Sequence, residues 1–338
     1  MTTRGTLVIF GVVSAMRVSS GFLLAAGLTV ASRQAGASPA CAAQASVTMS
    51  AEAGTAKRVL VTGAGGRTGG IVFDKLLKKE GYATRGMVRS QKSANKLKKK
   101  SDAEVLDTNV FIADVTTPGS LAAAMEGMDE VVLCTSAVPK IYPFSIVKVL
   151  FKKLLRKEPG RPKFYFGERG TPEEVDWMGA KALIDAAKTA GVKHFVYVGS
   201  MGGTQPDNFL NTIGKQDDGT GGDILLWKRK AEEYLIASAL TYTIIHPGGL
   251  LDAAGGKRRL VLGVDDTLLE RKSRSIPRAD VAQLSVECLG LESAKNRSFD
   301  VASDAEGEGE VTTDFGALVE GLTGNTDYTK APQPSSMD

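Results

Sequence analysis

Three cysteines and two histidines in a chain of 338 residues leave little material for cross-links or metal sites. Cys41, Cys134 and Cys288 show no Cys-x-x-Cys spacing, and only His194 and His246 could join them as ligands. A disulfide framework and a structural zinc are therefore excluded as organising devices, and no metal site is expected. Aromatic residues are only 6% of the chain and form no basic aromatic patch, so nothing supports RNA readout. The net charge of +4 is too mild to argue for a polyanionic partner, and no nucleic acid is expected. Acidic residues are absent from Met1 to Ser50. Long apolar runs are missing there too, because Arg17, Ser19 and Ser20 divide the patches LVIFGVVSAM and GFLLAAGLTVA. A membrane-spanning helix needs about 20 consecutive apolar residues, which neither patch provides.

What this N-terminal stretch does contain is Arg4, Arg17, Arg33 and many alanines and serines, the composition of an organelle import peptide. Residues 1–52 are read as a plastid (chloroplast) transit peptide, alone or behind a signal peptide, with a membrane anchor as the rival reading. The remainder, 53–330, is expected to be one soluble folded domain. With 43% hydrophobic and 24% charged residues, the chain has ample material for a large core.

From Lys57 onward, short β-branched runs alternate with segments of helical periodicity. Strands are predicted at Val59 to Thr62, Tyr82 to Val88, Val110 to Asp114, Val131 to Thr135, His194 to Gly199 and Tyr242 to His246. This α/β alternation predicts a doubly wound parallel sheet of the Rossmann type. After Gly248 the alternation loosens. A small C-terminal substrate lobe is expected, mainly from 248–330 together with the 138–172 insertion.

The stretch VLVTGAGGRTGG places Gly63, Gly66 and Gly69 between the first strand and the first helix. Glycines at this spacing permit a tight turn, let backbone approach a phosphate and let helix pack on strand, which is how a dinucleotide pyrophosphate is gripped. Arg67 and Thr68 add a cation and a hydroxyl inside the loop. The competing reading is a plain glycine turn. An NAD site calls for a carboxylate about 20 residues further on. The sequence there is TRGMVRSQKSANKLKKK, with no acid. Arg89 and Ser90 at the end of the second strand instead suit the 2′-phosphate of NADP(H). Lys96, Lys98, Lys99 and Lys100 are read as a solvated helix end.

Several motifs in this order, TGAGGRTGG, VRS, ADVT, TSAVPK, VDWMGAKALIDAAKTAGVKHFVYVGSMGGT, LLWKRKAEEYL, YTIIHPGGLLD and IPRADVA, resemble the atypical short-chain dehydrogenase/reductase family. The likeness is narrower still to its NADP-binding plant and algal members, some of them chloroplast proteins. It implies that Asp114 and Val115 border the adenine, that Ser136 and Ala137 lie beside the cofactor, and that Pro247 and Gly248 lie near the nicotinamide. It also implies a catalytic serine at Ser200 and a lysine at Lys228 that holds the nicotinamide ribose. The pattern breaks four residues before Lys228, where the proton-donating tyrosine of the wider family is replaced by Ile224. General acid catalysis is worth about 10²- to 10⁴-fold, so its loss matters. Tyr142 and Tyr165 are candidate substitutes or simply packing residues. Ser200 either orients a substrate carbonyl or satisfies backbone at a strand end. His194 reads as structural, and His246 as the histidine nearer the nicotinamide.

The run YPFSIVKVLFKKLLRKEPGRPK combines Phe144, Val147, Phe151, Leu154 and Leu155 with Lys148, Lys152, Lys153, Arg156 and Lys157. Its helical spacing gives a basic amphipathic segment over 143–157. The favoured reading is a lid whose apolar face covers the substrate pocket. The alternative is contact with a membrane surface or an acidic protein. Taken together, the sequence predicts an NADPH-dependent oxidoreductase acting on a small-molecule carbonyl, quinone or similar compound. The alternative is a non-catalytic NADP(H)-binding regulatory or scaffold protein, and Ile224 speaks for it.

Overall fold

The computed structural model describes residues 56–101, 104–156, 158, 160–216, 221–330 and 332. The expected transit peptide, 1–52, lies outside the described residues.

Eight strands form the central sheet: β1 (Lys57–Thr62), β2 (Tyr82–Val88), β3 (Val110–Ile112), β4 (Glu130–Leu133), β7 (His194–Val198), β8 (Tyr242–Pro247), β10 (Leu260–Gly263) and β12 (Arg297–Ser303). Their order is β10-β12-β8-β7-β4-β1-β2-β3, parallel throughout except for β10 against β12. Two short pairs stand apart from it: β5 (Lys140–Ile141) with β6 (Phe164–Tyr165), and β9 (Gly249–Leu251) with β11 (Ser275–Pro277). The helices are α1 (Arg67–Leu77), α2 (Gln91–Lys100), α3 (Leu121–Met125), α4 (Pro143–Leu154), α5 (Ala180–Thr189), α6 (Phe209–Thr212), α7 (Ile224–Ala237), α8 (Arg278–Cys288) and α9 (Phe315–Glu320).

Side chains alternate across the sheet, so both faces carry a core. Val59 and Val61 of β1 pack with Phe73 and Leu76 of α1 and Leu284 of α8. Leu60 belongs to the opposite layer, with Leu121, Leu183, Ile184 and Leu235. β1 is flanked by β2 on one side and β4 on the other, so the chain reverses direction across the sheet at this point. The loops leaving β1 and β4 diverge there, and ligands of doubly wound proteins bind in that crevice.

All six predicted strands are present. The stretch 248–330 divides: β12 and β10 extend the main sheet and α8 packs against α1, whereas the β9–β11 pair stays off the sheet. The apolar signature of β12 is interrupted by Ser298, Asp300 and Ser303, which are nevertheless buried. A second difference concerns α4. It is no lid, because Phe144 is 83% exposed and Leu154 is 78% exposed.

Candidate functional site

The loop after β1 is shaped by steric demands. Gly63 has φ +63°, and a Cβ on it would stand 2.9 Å from the Cys134 carbonyl oxygen beyond β4. A Cβ on Gly69 would run into the Gly63 carbonyl oxygen and approach Cys134 Cβ to 3.1 Å. Gly66 is the N-cap of α1, in extended backbone, with no side-chain cap and no acidic residue in the first turn. The first-turn N–H groups and the positive end of the helix dipole are thus uncompensated by side chains, which fits a pyrophosphate.

Arg67 and Thr68 open α1. Arg67 Nη1 lies 3.2 Å from Asp252 Oδ2, and Arg278 binds the other oxygen of the same carboxylate. Burial, followed by the nearby Arg67 charge, lowers the Arg278 pKa. Arg278 and Asp252 lie in the motifs IPRADVA and YTIIHPGGLLD, but neither residue was singled out, because the two stretches meet the loop after β1 only in the folded chain.

Arg89 follows β2 and is exposed, and among the described residues no carboxylate pairs with it. Ser90 has a structural task as well: it is the N-cap of α2 and accepts the Ser93 N–H at 3.2 Å. Gly65 abuts this corner, since a Cβ on it would lie 3.5 Å from Val88 and 3.6 Å from Ser93. The glycine loop thus lies against the end of β2 that Arg89 follows. Lys98 pairs with Asp107, whereas Lys96 and Lys100 line a crevice of about 40 Å³ beside the loop.

Asp114 accepts hydrogen bonds from the Thr116 N–H and hydroxyl, both at 2.9 Å, which fixes the turn after β3. Val115 is buried against Gly179, whose Cβ would come within 2.8 Å of Val115 Cγ2. Past β4, Ser136 is half-buried, and the Ala137 N–H donates to Asp176 Oδ2 at 3.0 Å. Asp176 sits in a π-helical turn, Glu173–Gly179, that leads into α5. Its other oxygen lies 2.7 Å from Lys228 Nζ, and Lys228 is only 6% exposed. One carboxylate thus ties the loop after β4 to α7. Sequence reasoning missed Asp176, although a lone acid among the apolar letters of VDWMGAKALI was a legible signal.

Burial pushes the Cys134 thiol up to about 12, with the Lys228 charge pulling the other way, so a thiolate nucleophile is not formed there. A cavity of about 790 Å³ lies where β7 and β8 end, lined by Ser200, Phe209, Pro247, Gly248, Leu250 and Arg274 among others. Lys228 is not on its wall. The Ser200 hydroxyl donates to the Met201 carbonyl at 3.1 Å. Asp266 holds the following loop, accepting the Gly202 and Thr204 N–H groups at 2.6 and 2.7 Å. Gly203 is required because a Cβ would collide with the Arg229 side chain beneath it.

No tyrosine lines the cavity; its titratable residues are Asp207, Glu270, Arg274 and Arg278. Tyr142 and Tyr165 instead face each other with ring centroids 4.5 Å apart in the β5–β6 segment, as the packing reading expects, and neither lines the cavity. Ile224 is the first residue of α7, one turn before Lys228, and packs against the core. His246 differs from expectation: it is 0% exposed and absent from the cavity wall. Its ring lies 3.1 Å from Glu232 and 3.2 Å from Asp300, beside Arg229. Burial and Arg229 favour the neutral ring, but Glu232 and Asp300 outweigh them and hold its pKa above the ordinary value. His194 is structural as read, with burial lowering its pKa to about 4.

A glycine-lined helix N-terminus at the switch point, and a cavity at the same end of the strands, define a protein of the NAD(P)H-binding Rossmann class. The chain belongs to the NAD(P)H-binding family, which it matches over residues 63–291, and to the atypical short-chain dehydrogenase/reductase type of oxidoreductase within that class. It is similar to a chloroplastic protein of Arabidopsis thaliana, with 48% identity over 281 residues that cover 82% of this chain and 79% of the other. It is also similar to sanguinarine reductase of Eschscholzia californica, 43% identical over 274 residues, covering 78% of this chain and 96% of that enzyme. An oxidoreductase of Lactococcus lactis shares the fold at TM-score 0.52 and 21% identity, covering 78% of this chain and 96% of that one.

Proposed function

We propose that the chain is an NADPH-dependent reductase of a small carbonyl, quinone or similarly reducible compound, working in the plastid. One juxtaposition carries this reading: the cavity walled by Ser200, Pro247 and Gly248 opens at the strand ends that also present the glycine-lined start of α1. The likeness to sanguinarine reductase supports reduction, and the chloroplastic Arabidopsis relative supports the destination.

In this reading Gly63, Gly66, Arg67, Thr68 and Gly69 hold the pyrophosphate and Arg89 holds the 2′-phosphate, with Ser90 fixing the corner. Asp114 and Val115 border the adenine, and Ser136, Ala137, Pro247 and Gly248 flank the nicotinamide half. Bound NADPH supplies a hydride. Ser200 orients the substrate oxygen from the cavity wall. Lys228, pinned by Asp176, places an ammonium against the nicotinamide ribose. With Ile224 in the tyrosine position, the proton comes from water admitted to the cavity beside Ser200.

The second reading, a non-catalytic NADP(H)-binding regulator or scaffold, is favoured by Ile224 and by the absence of any tyrosine from the cavity wall. A screen for NADPH oxidation against aldehydes, ketones, dicarbonyls and quinones separates the two. Slow turnover that Ser200→Ala lowers, with NADPH binding little changed, supports the reductase. Tight NADPH binding with no oxidation above background by any compound supports the regulator. A fluorescent fusion of residues 1–52 that stays cytosolic would refute the plastid assignment.

A further inference from the structure

Between Glu130 and Glu158 the chain carries no acidic residue, yet it carries Lys140, Lys148, Lys152, Lys153, Arg156 and Lys157. Within this stretch α4 forms a helix of 12 residues, about 18 Å long. At 100° per residue, Phe144, Val147, Leu150, Phe151 and Leu154 share one face, and with Ile146 they cover about half of the circumference. Lys153 borders this face along one edge, and Lys152 lies on the polar side toward the other. Nothing in the described chain covers the apolar face: Val147 is 61% exposed, and Leu150 and Phe151 are each 59% exposed. Water-exposed phenylalanine and leucine over two or more turns is costly, at about 25 cal/mol per Å² of apolar surface.

We infer that α4 is an interfacial anchor that lays the protein on an anionic lipid bilayer. A broad apolar arc flanked by Lys152 and Lys153 suits a plane, where the arc enters the acyl boundary and these cations reach headgroup phosphates. A second copy of the helix fits poorly, because pairing the apolar faces brings like-charged edges together. Insertion across the bilayer does not arise, since no described helix is long and apolar enough to span it. The segment has a firm mount: the Arg161 guanidinium lies 4.0 Å from the Phe209 ring centroid, and the Tyr142 and Tyr165 rings pack together at the helix start. The anchor does not depend on the reductase reading.

The test is cosedimentation of the full chain with vesicles of phosphatidylcholine alone and of phosphatidylcholine mixed with phosphatidylglycerol. The Phe144→Glu/Phe151→Glu variant, which keeps the N-terminal segment, runs in parallel. Binding to the anionic vesicles is expected to exceed binding to neutral ones, to weaken with salt, and to fall about tenfold or more in the variant. Unchanged protection of the variant by NADPH against heat shows that it is folded, whatever its turnover. Equal binding of variant and parent, or equal binding to both vesicle types, overturns the inference. So does a concentration-dependent dimer that the two substitutions dissociate, which would make a second copy the occupant.

Discussion

Around β1 and α1 the site is built of backbone, while around β7, α7 and β8 it is built on buried charge. The first region keeps its binding groups open: Gly66 offers no cap, and Arg89 is exposed. In the second, Lys228 is paired with Asp176, while Arg229, Glu232, His246 and Asp300 form a buried charged cluster. Glu232 shows how strongly. Burial favours its neutral acid, yet the His246 and Arg229 charges hold its pKa down at about 2. On the proposed reading, the contrast separates two tasks. Phosphate binding needs donors that wait for an anion, whereas a reacting centre needs a charge held still in a dry place.

The largest effect expected from breaking this contrast falls on Asp176. Asp176→Ala leaves the Lys228 ammonium buried without its carboxylate and the Ala137 N–H without its acceptor, which should cost about 3 kcal/mol or more in chemical denaturation. Asp176→Asn, which retains an acceptor for Ala137, should recover part of that loss while leaving turnover low. If both variants unfold like the parent, the pair is not structural.

Next in size is Gly69→Val. The added side chain meets the Gly63 carbonyl and the Cys134 side chain, both at the ends of central strands, so about 2 kcal/mol of stability should go. NADPH should also cease to protect the protein against heat, because displacing the loop removes its open N–H groups.

The smallest change sharpens the comparison. Arg89→Ala touches no packed partner, so the melting temperature without cofactor should be unchanged. The parent should bind NADPH about tenfold more tightly than NADH, equivalent to about 1.4 kcal/mol, and the variant should lose most of that preference. Equal affinities in the parent, read by titration calorimetry, would remove Arg89 from the 2′-phosphate.

The six strands, the glycine loop and the absence of an acid after β2 were all legible in the sequence, because each depends on neighbours in the chain or on a fixed spacing along it. Strand period and glycine placement are local properties, and Ile224 declares itself by counting back from Lys228. Other features had to await the assembled sheet. β12 hides its strand character because Asp300 is buried on it through the distant partners His246 and Asp266. His246 looked like a site residue at a strand end until Glu232 and Asp300 closed around it. Asp176 meets Lys228 across 52 positions of sequence. The amphipathic pattern of α4 was written in its letters, but whether the apolar face turned inward depends on distant elements: among the described residues, none comes to cover it. Sequence fixes what a segment prefers, whereas burial, and with it the charge state and partner of every side chain in this site, belongs to elements that meet only after folding.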